Sequence, residues 1–206
     1  MRPTEEHTEA PGFIPRVLDL PSLIRRKSHF IFGPRQTGKS FLIRHQLQGT
    51  RVYNMLDNAT FLALSQNPGR LAEEIRPRER YVVIDEIQRL PILLNEVHLL
   101  IEERGISFLL TGSSARKLRR GGVNLLGGRA RTMYMHPLTV GELGKHFDLK
   151  RALRNGFLPS IYFSDDPDAD LAAYAGAYLQ EEIAAEGAAR NIPAFSRFLK
   201  VAALCS

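Results

Sequence analysis

The run Gly33-Pro34-Arg35-Gln36-Thr37-Gly38-Lys39-Ser40 has the spacing G-x-x-x-x-G-K-[ST]. Glycines at those two positions let the backbone curl until successive N–H groups point inward, a cradle for phosphate oxygens. The apolar run Ser28-His29-Phe30-Ile31-Phe32 precedes it, and a helical pattern from about Lys39 to Gln48 comes after it. A strand, a tight loop and a helix in that order put the positive end of the helix at the same anion. Lys39 is placed to reach the β- and γ-phosphates of a nucleotide, and the Ser40 hydroxyl to ligate Mg²⁺. Phe41 is the next residue and completes the candidate binding stretch Gly33 to Phe41.

A second pattern lies about 45 residues downstream, where the continuous apolar run Tyr81-Val82-Val83-Ile84 ends in Asp85-Glu86. Such a run predicts a strand covered on both faces. Asp85 is the candidate metal holder. Glu86 is the candidate base, because a carboxylate within hydrogen-bond reach of water can take its proton. The next apolar run, Ile106 to Leu110, ends in Thr111-Gly112-Ser113-Ser114. Ligands of parallel sheets bind beyond the carboxyl ends of strands, so Thr111 or Ser113 is placed to sense the γ-phosphate. A turn or helix cap uses the same residues, and the sequence does not separate Thr111, Ser113 and Ser114. Arg129 and Arg131 are candidates for stabilising transition-state charge, in cis or from a neighbouring copy.

Strand patterns alternate with helical ones up to about residue 140, with a fifth strand at Thr132 to Met135, and then stop. Alternation of this kind predicts a parallel sheet flanked by helices. The expected organisation is a frayed N-terminus over 1–15, an α/β core over 16–140 and a helical extension over 141–206. Helices are expected at Asp170 to Ala189 and Ala194 to Ala203. The last residues carry no Gly or Pro stop signal, so the chain reads as cut inside an element. A chain of 206 residues can bury roughly 70% of the surface its unfolded form exposes and needs no disulfide or metal staple. The lone Cys205 cannot form an internal disulfide, which points to a reducing compartment. No apolar run is long enough to span a membrane. The six histidines are scattered, and Asp165-Asp166-Pro167-Asp168 reads as a turn into a helix.

The net charge is +6, with 28 Lys+Arg against 22 Asp+Glu. Arg116, Lys117, Arg119, Arg120, Arg129 and Arg131 fall in a stretch without an acid. The segment 116–131 is either a solvated loop or a contact for nucleic acid, a protein partner or a second copy.

The segments FGPRQTGKS, VVIDEIQRLPILLNEVH and FLLTGSSARKLRRGGVNLLGGRA together resemble a prokaryotic AAA-type P-loop ATPase family whose members carry a C-terminal domain of unknown function. The stretch from Asp170 to Leu204 is also similar to the segment after that family's ATPase core. The resemblance implies a three-layer α/β core of the additional-strand type with a mainly parallel sheet. It implies ATP and Mg²⁺ as ligands and a cytoplasmic setting. Lys39, Ser40, Asp85 and Glu86 match the family's positions. Thr111 and Ser113 match its sensor region, and Arg129 a recurrent Gly-Arg position. Family chains continue beyond residue 206. Two functions are therefore expected. One is ATP hydrolysis coupled to conformational change. The other is a nucleotide-gated module that hydrolyses little and binds nucleic acid or protein through 116–131.

Overall fold

Three runs of the chain are buried along almost their whole length: β1 (Ser28–Phe32), β3 (Tyr81–Asp85) and β4 (Ser107–Gly112). Such strands belong inside a parallel sheet with both faces covered. Two others, β2 (Arg51–Asn54) and β5 (Ala130–Tyr134), leave most of their side chains exposed or only half-buried and form the edges. The structure, a computed structural model, describes residues 13–120, 126–178 and 191–204. Among the described residues the five strands make one parallel sheet in the order β2-β3-β4-β1-β5. β4 thus lies between the strand that leads into the Gly-rich loop and the strand that ends in Asp85.

Side-chain alternation sorts the interior strands onto two faces. Phe30, Phe32, Val82, Ile84, Phe108 and Leu110 form one core, together with residues from three helices. These are Leu64 of α3 (Asn58–Gln66), Leu71 of α4 (Arg70–Glu74) and Leu93, Leu94, Val97 and Leu100 of α5 (Leu93–Arg104). Each such side chain contributes about 1.5–3 kcal/mol on burial. The intervening Ile31, Val83 and Leu109 are equally buried and face the other way. There α1 (Leu20–Arg26) packs on β1 and β4 and touches α2 (Lys39–Gln46). The result is a three-layer α/β fold with helices on both faces of the sheet.

The chain divides into two compact units, one of them Pro15–Glu142. The other holds Leu143 onward and is helical among the described residues. It contains α8 (Leu149–Asn155), α9 (Pro159–Tyr162), α10 (Pro167–Ala177) and α11 (Ile192–Leu204), while α7 (Val140–Leu143) straddles the division. Tyr162 is fully buried and organises this unit. Its hydroxyl donates to the His146 carbonyl at 2.9 Å and accepts from the Asp148 N–H at 2.8 Å. Asp166 caps α10 by accepting from the Ala169 N–H, so the acidic turn leads into a helix. The expected continuation to Ala189, residues 1–12 of the N-terminus expected to be frayed over 1–15, and Cys205 lie outside the described residues. No described helix is long and apolar enough to cross a membrane.

One expectation needs revision. The segment 116–131, read from sequence as either a solvated loop or a contact, begins inside a helix, α6 (Ala115–Arg120). Arg is a good helix former, and Leu118 is fully buried, which gives the helix an apolar anchor.

The core unit is also closed by a buried ion pair. Arg16 Nε donates to Glu142 Oε1 at 2.9 Å, with only 8% and 7% of the two side chains exposed. Burial pushes the Glu142 carboxyl up, but hydrogen bonds from the Val17 and Thr139 N–H groups and from Arg16 outweigh it and hold it below the ordinary value of 4.5. A depressed carboxyl stabilises the fold fully above the unfolded value, and the contribution is lost as pH falls through the folded one. The urea midpoint of Glu142→Gln should therefore lie below that of the wild type at neutral pH. The gap should close as pH falls below 4.5. A gap that persists undiminished at pH ~3 would contradict this assignment.

Candidate nucleotide site

Because every strand is parallel, the strands all end at one edge of the sheet, and the motif residues gather there. Gly33 comes directly after β1 and is threaded between neighbours on both sides. Its N–H donates to the Gly112 carbonyl at 3.3 Å, and the Met135 N–H donates to the Phe32 carbonyl at 2.7 Å. A Cβ at Gly33 would overlap the Met135 carbonyl oxygen, so only glycine fits this approach. The loop then turns through left-handed conformations at Gln36 (φ 63°) and Gly38 (φ 92°). Gly38 supplies no side-chain cap to α2, which leaves the first N–H groups of this eight-residue helix to an incoming anion.

Lys39 is buried beneath the loop, and its Nζ donates to the carbonyls of Gly33 (2.7 Å) and Pro34 (2.8 Å). Thr37 Oγ1 donates to the Pro34 carbonyl at 2.9 Å. From behind, Arg16 Nη1 donates to the Thr37 carbonyl at 2.8 Å, while its other nitrogens hold Glu142 and the His136 carbonyl. Pro34, Arg35 and Gln36 are exposed on the loop, and Phe41 is 47% exposed on α2.

Asp85 shares the α2 face with Val83 by alternation. The register pairs Ile84 with Leu110, so Asp85 comes to lie beside Thr111. Thr111 Oγ1 donates to Asp85 Oδ1 and accepts from the Glu86 N–H at 3.2 Å. On the other oxygen, Ser40 Oγ from the first turn of α2 donates to Asp85 Oδ2 at 2.6 Å. Mg²⁺ takes oxygen donors and is held through one or two carboxylates. A hydroxyl and a carboxylate side by side at the mouth of a phosphate-type loop are a donor set that fits this ion.

Glu86 leaves the strand in a left-handed conformation (φ 62°). Its carboxylate accepts from Gln88 Nε2. The Gln88 amide lies over Gly112, and its Oε1 is buried without a hydrogen-bond partner, as is Ser113 Oγ. The structure therefore separates two hydroxyls that the sequence left together. Thr111 is committed to Asp85 and to the Glu86 backbone, whereas Ser113 Oγ is unsatisfied. Gln88 and Arg16 carried no motif signal as site residues.

Arg129 does not join this group within the chain. Ala130 pairs with Ser28 at the start of β1, whereas the loop comes after Phe32 at its end. Four strand residues, about 13 Å, separate the two edges. Arg129 Nε instead donates to Glu102 near the end of α5. A role for Arg129 at a γ-phosphate requires a second copy of the chain. Of the other cations of 116–131, Arg116 and Arg131 are exposed, and the side chains of Lys117, Arg119 and Arg120, with all of residues 121–125, lie outside the described residues.

The sheet order, the loop and the paired Asp85 and Ser40 define an α/β core of the P-loop nucleotide-binding class. The chain belongs to the AAA domain family, whose model matches residues 25–144, more than half of its length. AAA domains are nucleotide-binding ATPase domains. No curated protein is significantly similar to the chain. Among solved structures it is similar to a replication initiator DnaA bound to AMPPCP and single-stranded DNA. That match has 15% identity and a TM-score of 0.47, covering 86% of this chain and 69% of the other. A Pif1 helicase from Candida albicans matches at 17% identity and a TM-score of 0.41, over 77% of this chain and 47% of that one. Domain III of the Thermotoga maritima replication initiation protein DnaA matches at 13% identity and a TM-score of 0.38, over 75% and 78%.

Thr111→Val keeps the side chain's shape but leaves one Asp85 oxygen and the Glu86 N–H without their partner. It should lower stability by about 1–3 kcal/mol in a urea titration. An unchanged midpoint would show that the Thr111 hydroxyl does not hold the pair.

Proposed function

We propose that this chain binds ATP with Mg²⁺ and hydrolyses it, using nucleotide state to change conformation. The observation that supports this most directly is Asp85 held between Ser40 and Thr111, next to a loop whose lysine is already folded under it. In this reading the N–H groups at the start of α2 and the Lys39 ammonium bind the β- and γ-phosphates. Ser40 and Asp85 hold Mg²⁺, which when bound neutralises charge on the phosphate oxygens. Glu86 takes a proton from the attacking water as the water oxygen bonds to the γ-phosphorus and the bridging oxygen leaves with the diphosphate. Gln88 orients the Glu86 carboxylate through its amide N–H. Ser113, with its hydroxyl unsatisfied at the same edge, is the candidate for sensing the γ-phosphate.

The second expectation, contact with a partner through 116–131, has less support as a continuous segment. Arg129 is engaged by Glu102, and Leu118 is turned into the core. The family resemblance supports ATP over GTP, and the geometry of the site is indifferent to the base.

Lys39→Ala should abolish binding of a fluorescent ATP analogue. Glu86→Gln should retain that binding while turnover falls by at least about 10²-fold. Equal turnover in Glu86→Gln and wild type would remove Glu86 as the base.

A separate steady-state measurement addresses Gln88. Gln88→Ala should lower kcat roughly tenfold with KM little changed, the pattern of a residue that positions a catalytic group. A rise in KM alone would place Gln88 in nucleotide binding instead.

A further inference from the structure

The opposite edge of the same sheet, where the strands begin, is also strongly basic, and its cations come from segments far apart in the chain. Arg26 and Lys27 lead into β1, Arg76, Arg78 and Arg80 lead into β3, and Arg131 is the second residue of β5. All but the half-buried Lys27 are exposed. None of the six forms an ion pair with a described residue. The nearby acids are mostly engaged. Glu79 pairs with Arg51 at 3.0 Å and Glu102 with Arg129, leaving Glu103 in the last turn of α5. His29, at the same edge, is held below its ordinary value by burial and then by the charges of Arg131 and Lys27, as expected in a positive field.

We propose that this edge is a surface for the phosphate backbone of a nucleic acid, separate from the nucleotide site. Five of its six free cations are Arg, whose planar fork pairs with phosphate through two hydrogen bonds. The edge spans four strand spacings, about 19 Å, a length of duplex that carries roughly 11 phosphate charges. None of the described exposed large aliphatic side chains lies in the turns that form it, and the large exposed ring there is Tyr81, beside Arg80. A lipid surface asks for a broad apolar face beside the charge, and the described exposed apolar side chains at this edge, Tyr81 and Val52 in β2, are too few to make one. The nucleotide site lies at the other ends of the strands, so the two anions do not compete.

The test is fluorescence anisotropy of a labelled 20-base-pair DNA duplex between 50 and 200 mM salt, roughly the range over which phosphate contacts lose their strength. The wild type should bind with affinity that falls steeply with salt. The double variant Arg78→Glu/Arg80→Glu and the single variant Arg131→Glu should each weaken binding at least tenfold. Replacing each arginine by Ala instead should reduce the salt slope by about one per residue. Arg116→Glu, on α6, should bind like the wild type, because the surface is the strand edge, to which the segment 116–131 contributes only Arg131. The urea midpoint of each variant should stay close to that of the wild type, which shows that they are folded and keeps this result independent of the nucleotide reading. No duplex binding at 50 mM salt would overturn the proposal. So would wild-type affinity in both edge variants, or binding to phosphatidylserine vesicles with no binding to duplex.

Discussion

The site hangs on one carboxylate. Asp85 sits at the end of an interior strand with a hydroxyl on each oxygen, Thr111 from the neighbouring strand and Ser40 from the helix that crosses above. A buried carboxylate without such partners is costly, so these two hydrogen bonds are a condition of the fold as well as of the chemistry. They link β3, β4 and α2 at a single atom group. Through α2 they also set where the Gly-rich loop lies over the sheet edge. The loop, Glu86 and the Ser113 turn inherit their positions from this arrangement, because each is directly joined to an element that Asp85 ties down.

Chemistry that needs contiguous residues was readable from the sequence, and chemistry that needs distant ones was not. The loop Gly33 to Ser40 and the pair Asp85-Glu86 each write their role in adjacent positions, and the alternation of apolar runs and helical patterns places both at strand ends. Strand order is not written that way. Arg129 stands next to a strand that pairs beside β1, and its distance from the loop results from that pairing alone. Thr111 and Ser113 look alike in sequence and diverge only when the β3–β4 register is known. Gln88 stands in the sequence only as part of the segment VVIDEIQRLPILLNEVH that carries the family resemblance, yet it bonds to Glu86 because the chain reverses through a left-handed residue that no composition rule assigns to glutamate.

Charge shows the same division. A run of basic residues along the sequence suggested one continuous segment, but the fold spreads that segment over a helix and an edge strand. It gathers another set of cations, from the turns before β1 and β3 and with only Arg131 of that segment, at the beginning of the sheet. The two ends of the sheet then differ in kind. One presents backbone N–H groups and a single enclosed lysine to a compact anion. The other presents several exposed guanidinium groups over a broad edge, suited to an extended one. Parallel strands produce this polarity without further design, since all their ends of one kind lie together.

Arg16 stands 21 residues ahead of the Thr37 carbonyl it holds and 126 from Glu142. Its guanidinium thus braces the phosphate loop from behind against a distant part of the core. With Lys39 tucked beneath the same loop, the curled backbone is pinned from two sides by the protein's own groups. Much of the entropy of shaping a phosphate cradle has then been lost during folding, so it is not charged again to each binding event. A loop of this kind can take and release its nucleotide repeatedly as a rigid mould, and the parts free to respond are the side chains at its mouth.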